Sequence, residues 1–135
     1  LQVTPITTTI SRTYSDIDCT FEASPVTGIY KKTDAAAVRQ SVKNLLMTNH
    51  GELPFRPYYG GNLNDLLFSL STDLESSDVE SNVRYAIEKY EPRARIQTIK
   101  STIRPDYNSM DITIVFEVVN TQKVVTLNVN IARTR

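Results

Sequence analysis

Glu52, Asp65 and Glu91 lie in or beside stretches that read as loops. Two such carboxyl groups held ~5 to ~9.5 Å apart, one protonated and one ionised, are what hydrolysis of a glycosidic bond requires. A chain with fifteen acidic residues offers such pairs freely, and solvated carboxylates on loops and helix caps are the commoner state. His50 is the only histidine, so a Ser-His-Asp arrangement would have to use it, yet no Gly-x-Ser-x-Gly turn presents a nucleophile. Its plainer reading is a helix-end residue. Cys19 is the only cysteine; nothing beside it would lower a thiol pKa, and it reads as a small buried packing residue. A single cysteine also excludes an internal disulfide and a zinc site built from thiolates. Gly60 and Gly61 lack the following Lys-Ser/Thr of a phosphate-binding loop and read as a tight turn. No catalytic residue, metal site, cofactor or small-molecule substrate is expected.

Charge gives the same direction. Arg93, Arg95, Lys100 and Arg104 cluster in sequence, but Glu91 and Asp106 accompany them, and a solvated strand edge or a protein contact fits them better than nucleic acid. Fifteen basic residues balance fifteen acidic ones, whereas neutralising phosphates needs a concentrated basic excess. No run approaches the ~20 apolar residues of a membrane span, and residues 1–11 lack a basic start followed by an apolar stretch, so neither a membrane partner nor an export signal is expected. Leu1 in place of Met leads us to expect processing, or a start inside a longer product. With 40% hydrophobic and 22% charged residues, the chain has the composition of one globular domain with a single core.

The elements that must position these residues follow from periodicity. Residues 1–13, rich in Thr, show no sustained period and read as a flexible arm, with a single domain over residues 14–135. Residues 14–32 read as an ordered but irregular segment anchored by its aromatics. Asp34 is a good N-cap, after which Val38, Val42, Leu45 and Leu46 share a helical face, ending at His50 and Gly51. Residues 53–61 form a structured loop, and Asn62 caps a short helix with the stripe Leu63, Leu66, Leu67 and Leu70. Ser77 and Glu80 have capping-box spacing before a third helix carrying Val79, Val83, Ala86, Ile87 and Tyr90, which Pro92 stops.

Beyond Pro92 the period changes to two. Ile112, Ile114, Phe116 and Val118 alternate with mostly polar neighbours, and Val125, Leu127, Val129 and Ile131 repeat the pattern after a turn near residues 120–122, a hairpin. Residues 95–104 read as an earlier strand with a bulge, because Ile96 and Ile99 fall out of phase. The fold class is α+β: an N-terminal arm, about three helices, then a C-terminal three-stranded antiparallel sheet packed against the helices. Such a sheet has two edges, and one left unpaired would accept a strand from another chain.

Glu91-Pro92-Arg93 sits at the junction between the two halves, where proline fixes the backbone and holds opposite charges in a defined relation. By itself it reads as a helix stop flanked by an ion pair worth ~0 to 1 kcal/mol if exposed.

Four stretches stand in a definite order: Tyr14-Ser15-Asp16-Ile17-Asp18; residues 48–60, from Thr48-Asn49-His50-Gly51 to Pro57-Tyr58-Tyr59-Gly60; Leu66-Leu67-Phe68; and Tyr90-Glu91-Pro92-Arg93. Together they resemble the gene-twenty-five-like baseplate wedge family of contractile phages, which is similar to baseplate subunits of type VI secretion systems. The likeness covers nearly the whole chain from Tyr14. It implies a structural protein of the virion tail baseplate, assembled in the host cytoplasm, with other wedge proteins and the tail sheath protein as partners. It further implies that Glu91, Pro92 and Arg93 contact the wedge bundle, and that the C-terminal strands, through Val125, Leu127, Val129 and Ile131, are offered to the first sheath ring. A proline at Val129 is the expected way to break that offer. Leu53 stands where the family often has Arg, and Ser69 where an acidic residue is common; the arm before Tyr14 lies outside the likeness. Some members carry a lysozyme label, which makes a peptidoglycan-cleaving glycosidase the alternative.

Overall fold

The computed structural model describes residues 13–26, 28–68 and 75–132. The expected arm at 1–13 and Leu70 lie, but for Thr13, outside those residues.

Helix α1 spans Asp34–Met47 and buries Val38, Val42, Leu45 and Leu46. Asp34 does not cap it in the expected way, because its Oδ1 accepts from the Tyr14 backbone N–H at 3.3 Å. The helix also ends earlier than His50, with Thr48 as its cap. The cause is the following loop, which turns back and supplies the helix end with donors: Gly61 N–H reaches Leu45 O at 3.0 Å and Asn62 N–H reaches Thr48 O at 3.3 Å. This close approach needs glycine. A Cβ on Gly60, whose φ is +122°, would lie 2.3 Å from Thr48 O. Helix α2, Leu63–Phe68, buries Leu63. Asn62 precedes it, but its side chain accepts from His50 N–H at 3.2 Å instead of capping α2.

Helix α3, Ser76–Tyr90, buries Val79, Val83, Ala86 and Ile87, and stops at Glu91 before Pro92 as expected. The Ser77/Glu80 capping box does not form. Ser77 bonds Glu75, while Glu80 reaches across to the sheet.

The sheet is the expected antiparallel meander, in the order β5 (Ala94–Arg104), β6 (Ser109–Val118), β7 (Val124–Ala132). Strand β5 slips register between Ile96 and Thr98, the bulge that the phase break called for. Phe116, Ile114, Ile112 and Met110 of β6 are fully buried, and Leu127, Val129 and Ile131 of β7 join them beneath the helices. Burying each such side chain stabilises the fold by roughly 1.5–3 kcal/mol, so this layer dominates the core. Helix α3 packs on β5, and α1 packs on β6 and β7.

The N-terminal segment is less irregular than its sequence suggests. Strand β1 (Ser15–Ile17) pairs with β4 (Lys31–Thr33), and β2 (Ala23–Ser24) pairs with β3 (Gly28–Ile29). Its aromatics are not all anchors: Phe21 and Tyr30 are exposed, and Tyr14 alone packs against the core. The firmer attachment is Gln40 of α1, which accepts from Cys19 N–H at 3.2 Å and donates to Ile17 O at 2.8 Å. Cys19 itself is exposed, contrary to the expected buried packing.

Candidate functional site

Glu91 is 4% exposed, at the point where α3 gives way to β5. Arg93 Nε donates to its Oε1 at 2.5 Å and Nη2 to its Oε2 at 2.9 Å, while Ser41 Oγ of α1 also donates to Oε2. The guanidinium lies 5.3 Å from the centre of the Tyr14 ring. Hydrogen bonding to Glu91 raises the Arg93 pKa above its ordinary value, against a smaller opposing effect of burial. Burial, followed by the charge of Glu91, likewise pushes the Tyr59 phenol upward. Main-chain bonds complete the junction: Ala94 N–H to Glu91 O at 3.1 Å, and Val119 N–H to Arg93 O at 3.0 Å. The motif thereby joins α3, α1, the segment before β1 and the far end of the hairpin.

This changes the reading of Glu91-Pro92-Arg93 as a pair projecting to a partner. The carboxylate is turned inward, because a buried charge needs its donors. Pro92 and part of Arg93 are what face solvent. Ser41 and Tyr14 belong to the same cluster and were missed in sequence, lying 50 and 77 residues from Glu91 (91 − 41 and 91 − 14).

The enzyme candidates are scattered. Glu52 is exposed and engaged by Asn49, Asp65 is exposed on α2, and both Glu91 oxygens are taken as described. His50 stacks edge-on with Tyr58. No group of three His, Cys, Asp or Glu residues able to hold a metal occurs among the described residues. The basic cluster is also divided: Arg93 pairs with Glu91, Arg104 with Asp111 at 3.0 Å, and Arg95 stands opposite Glu117.

The two edges of the sheet differ. On β5, Glu80 Oε1 accepts from the Ser101 N–H at 2.9 Å, and Ser101 Oγ donates to Ser76 O at 2.9 Å, so α3 covers that edge. On β7, the outer side has no strand among the described residues. Val118 N–H donates to Lys123 O at 2.9 Å and Gln122 N–H to Val118 O at 2.8 Å, with Gln122 left-handed at φ 53°, a bulge that closes the hairpin. Antiparallel pairs alternate between bonded and unbonded. Counting from Val118 along the register, the bonded pairs are Phe116 with Val125, Ile114 with Leu127, Ile112 with Val129 and Met110 with Ile131.

The four β7 residues expected at the partner surface thus present no main-chain group to the outer edge. The side chains of Leu127, Val129 and Ile131 are buried and that of Val125 is half-buried, while their main-chain groups bond β6. The groups facing outward belong to Thr126, Asn128 and Asn130. Sequence period reports the side-chain face and not the direction of main-chain bonding, which the hairpin closure decides.

Beside this edge lies a groove of about 660 Å³ between β7, α1 and the N-terminal hairpin. Ala35, Ala36, Val125 and Leu127 supply apolar lining, and Arg39, Lys43 and Lys32 supply charge. Arg39 and Lys43 stand four apart on the exposed side of α1, and no motif in the sequence singles them out.

The family model described as baseplate wedge protein gp25 matches residues 32–123. The baseplate wedge protein gp25 of Enterobacteria phage T4 is 30% identical over 109 residues, 81% of this chain and 80% of that one. Two solved structures share the fold. A Geobacter sulfurreducens protein, described as a candidate tail lysozyme, has a TM-score of 0.62 and 23% identity, covering 73% of this chain and 89% of its own. A chain of the anti-feeding prophage baseplate has a TM-score of 0.60 and 22% identity, covering 89% and 86%. The lysozyme description attaches to the first of those proteins alone. With two thirds of its length matched by the family model, the chain belongs to the baseplate wedge protein gp25 family, a structural component of the virion tail baseplate.

Proposed function

We propose that this wedge protein joins its baseplate neighbours through the surface around Pro92 and Arg93, and initiates the tail sheath by offering the outer edge of β7 to a strand of the first sheath ring. The observation that carries this reading is the unequal treatment of the edges: one is covered by α3, the other opens onto a groove. An added strand bonds the outward groups of Thr126, Asn128 and Asn130 and extends the sheet by one. Its alternate side chains enter the groove beneath α1 and set the register. Sheath growth then begins where a finished baseplate holds these edges in place.

A proline at Val129 is the wrong probe, because it removes a bond to β6. Asn128→Pro deletes an outward donor and leaves the β6 ladder complete, the position at which an edge strand tolerates proline. Baseplates carrying Asn128→Pro are expected to assemble fully and to remain without sheath. Normal sheath growth on them overturns the proposal.

A further inference from the structure

We propose that the groove beside β7 chooses its occupant by charge, taking an extended partner segment whose inward-facing positions are acidic, with Arg39 and Lys43 as the selecting residues. This rests on the strand-acceptor reading above and names the chemistry of the strand accepted. Among the described residues, the groove lining contains no carboxylate. Of its three cations, Lys32 is already neutralised by Asp18 at 3.1 Å. Arg39 and Lys43 are exposed and make no ion pair among the described residues. Gln40, between them, is occupied by Ile17 and Cys19, so it does not compete for the occupant.

Spacing matches the charge. Residues four apart on a helix hold their Cβ atoms ~5–6 Å apart, and same-face side chains of a strand repeat every ~6.8 Å. Two successive inward positions of an added strand can therefore each bring a carboxylate to one cation, while Val125 and Leu127 take apolar neighbours. A segment with lysines at those positions meets repulsion, and one with amides leaves both cations without a partner. Charge complementarity of this kind sets partner choice and register more than total affinity.

The test uses the whole protein and two synthetic ten-residue peptides of alternating Val and Thr, alike except that two alternate central positions are Glu in one and Gln in the other. Cys19, exposed on the groove lining and the chain's only cysteine, reports occupancy through its rate of labelling by a thiol reagent. The Glu peptide is expected to bind about three- to tenfold more tightly at low salt, with the difference collapsing at high salt. The double variant Arg39→Glu, Lys43→Glu, altered on an exposed helix face and expected to fold, should lose that preference. Equal binding of both peptides, abolished by Asn128→Pro, overturns the charge selection and keeps the strand acceptor. Failure of both peptides to bind or to slow Cys19 labelling overturns both.

Discussion

The β5 and β7 edges of one three-stranded sheet have opposite fates. At β5, Glu80 takes the Ser101 N–H, a bulge breaks the register after Ile96, and exposed Arg95, Lys100 and Arg104 decorate the strand. These are recognised means of keeping an edge from pairing with another chain. At β7, Thr126, Asn128 and Asn130 turn main-chain groups outward beside a groove with an apolar lining. An edge open by neglect would be a liability. An edge left open while its counterpart is covered is what the proposed strand acceptor requires.

The Glu91–Arg93 junction supports the covered side, since β5 starts at Ala94 immediately after it. Arg93→Glu should have the largest effect on the comparison. It leaves the buried Glu91 carboxylate without its cation, with Ser41 as its remaining side-chain donor and a second carboxylate facing it, at a cost of roughly 3 kcal/mol, read from urea denaturation. Loss of wedge incorporation in this variant would report folding as much as contact. A stability change under about 0.5 kcal/mol, the usual range of a surface substitution, would show that the junction is not the structural anchor described.

Glu80→Ala should act next. Removing the acceptor for Ser101 N–H costs roughly 1–2 kcal/mol and uncovers the β5 edge, so self-association should rise with concentration in sedimentation velocity. Unchanged sedimentation of the variant, with β5 amides as protected as before, would mean that α3 covers the edge without help from Glu80.

Much of this layout can be read in the sequence, and the rest fails for identifiable reasons. The faces of α1 and α3 and the alternation along β6 and β7 are local periodicities driven by burial, so Val38 to Leu46 and Ile112 to Val118 declare themselves. The β5 bulge shows as a break of phase between Ile96 and Ile99. Glu80 misleads because its partner, Ser101, lies 21 residues away, and a capping motif describes only local competition for a helix donor. Strands β1 to β4 are two or three residues long and carry no period. Glu91-Pro92-Arg93 was legible as a motif, but that its carboxylate faces inward depends on Ser41 and Tyr14 arriving from elsewhere in the chain. The outward main-chain set on β7 depends on the left-handed Gln122 at the hairpin closure, which alternation of apolar residues does not encode.

Residue-resolved amide exchange tests the central claim most directly, comparing the isolated protein with baseplates that bear the first sheath ring. In the isolated protein, Val125, Leu127 and Val129 should exchange slowly, while Thr126, Asn128 and Asn130 exchange fast. Slowing of those three once the sheath ring is in place is the predicted result. Unchanged rates at Thr126, Asn128 and Asn130, with new protection confined to β5, would contradict the account.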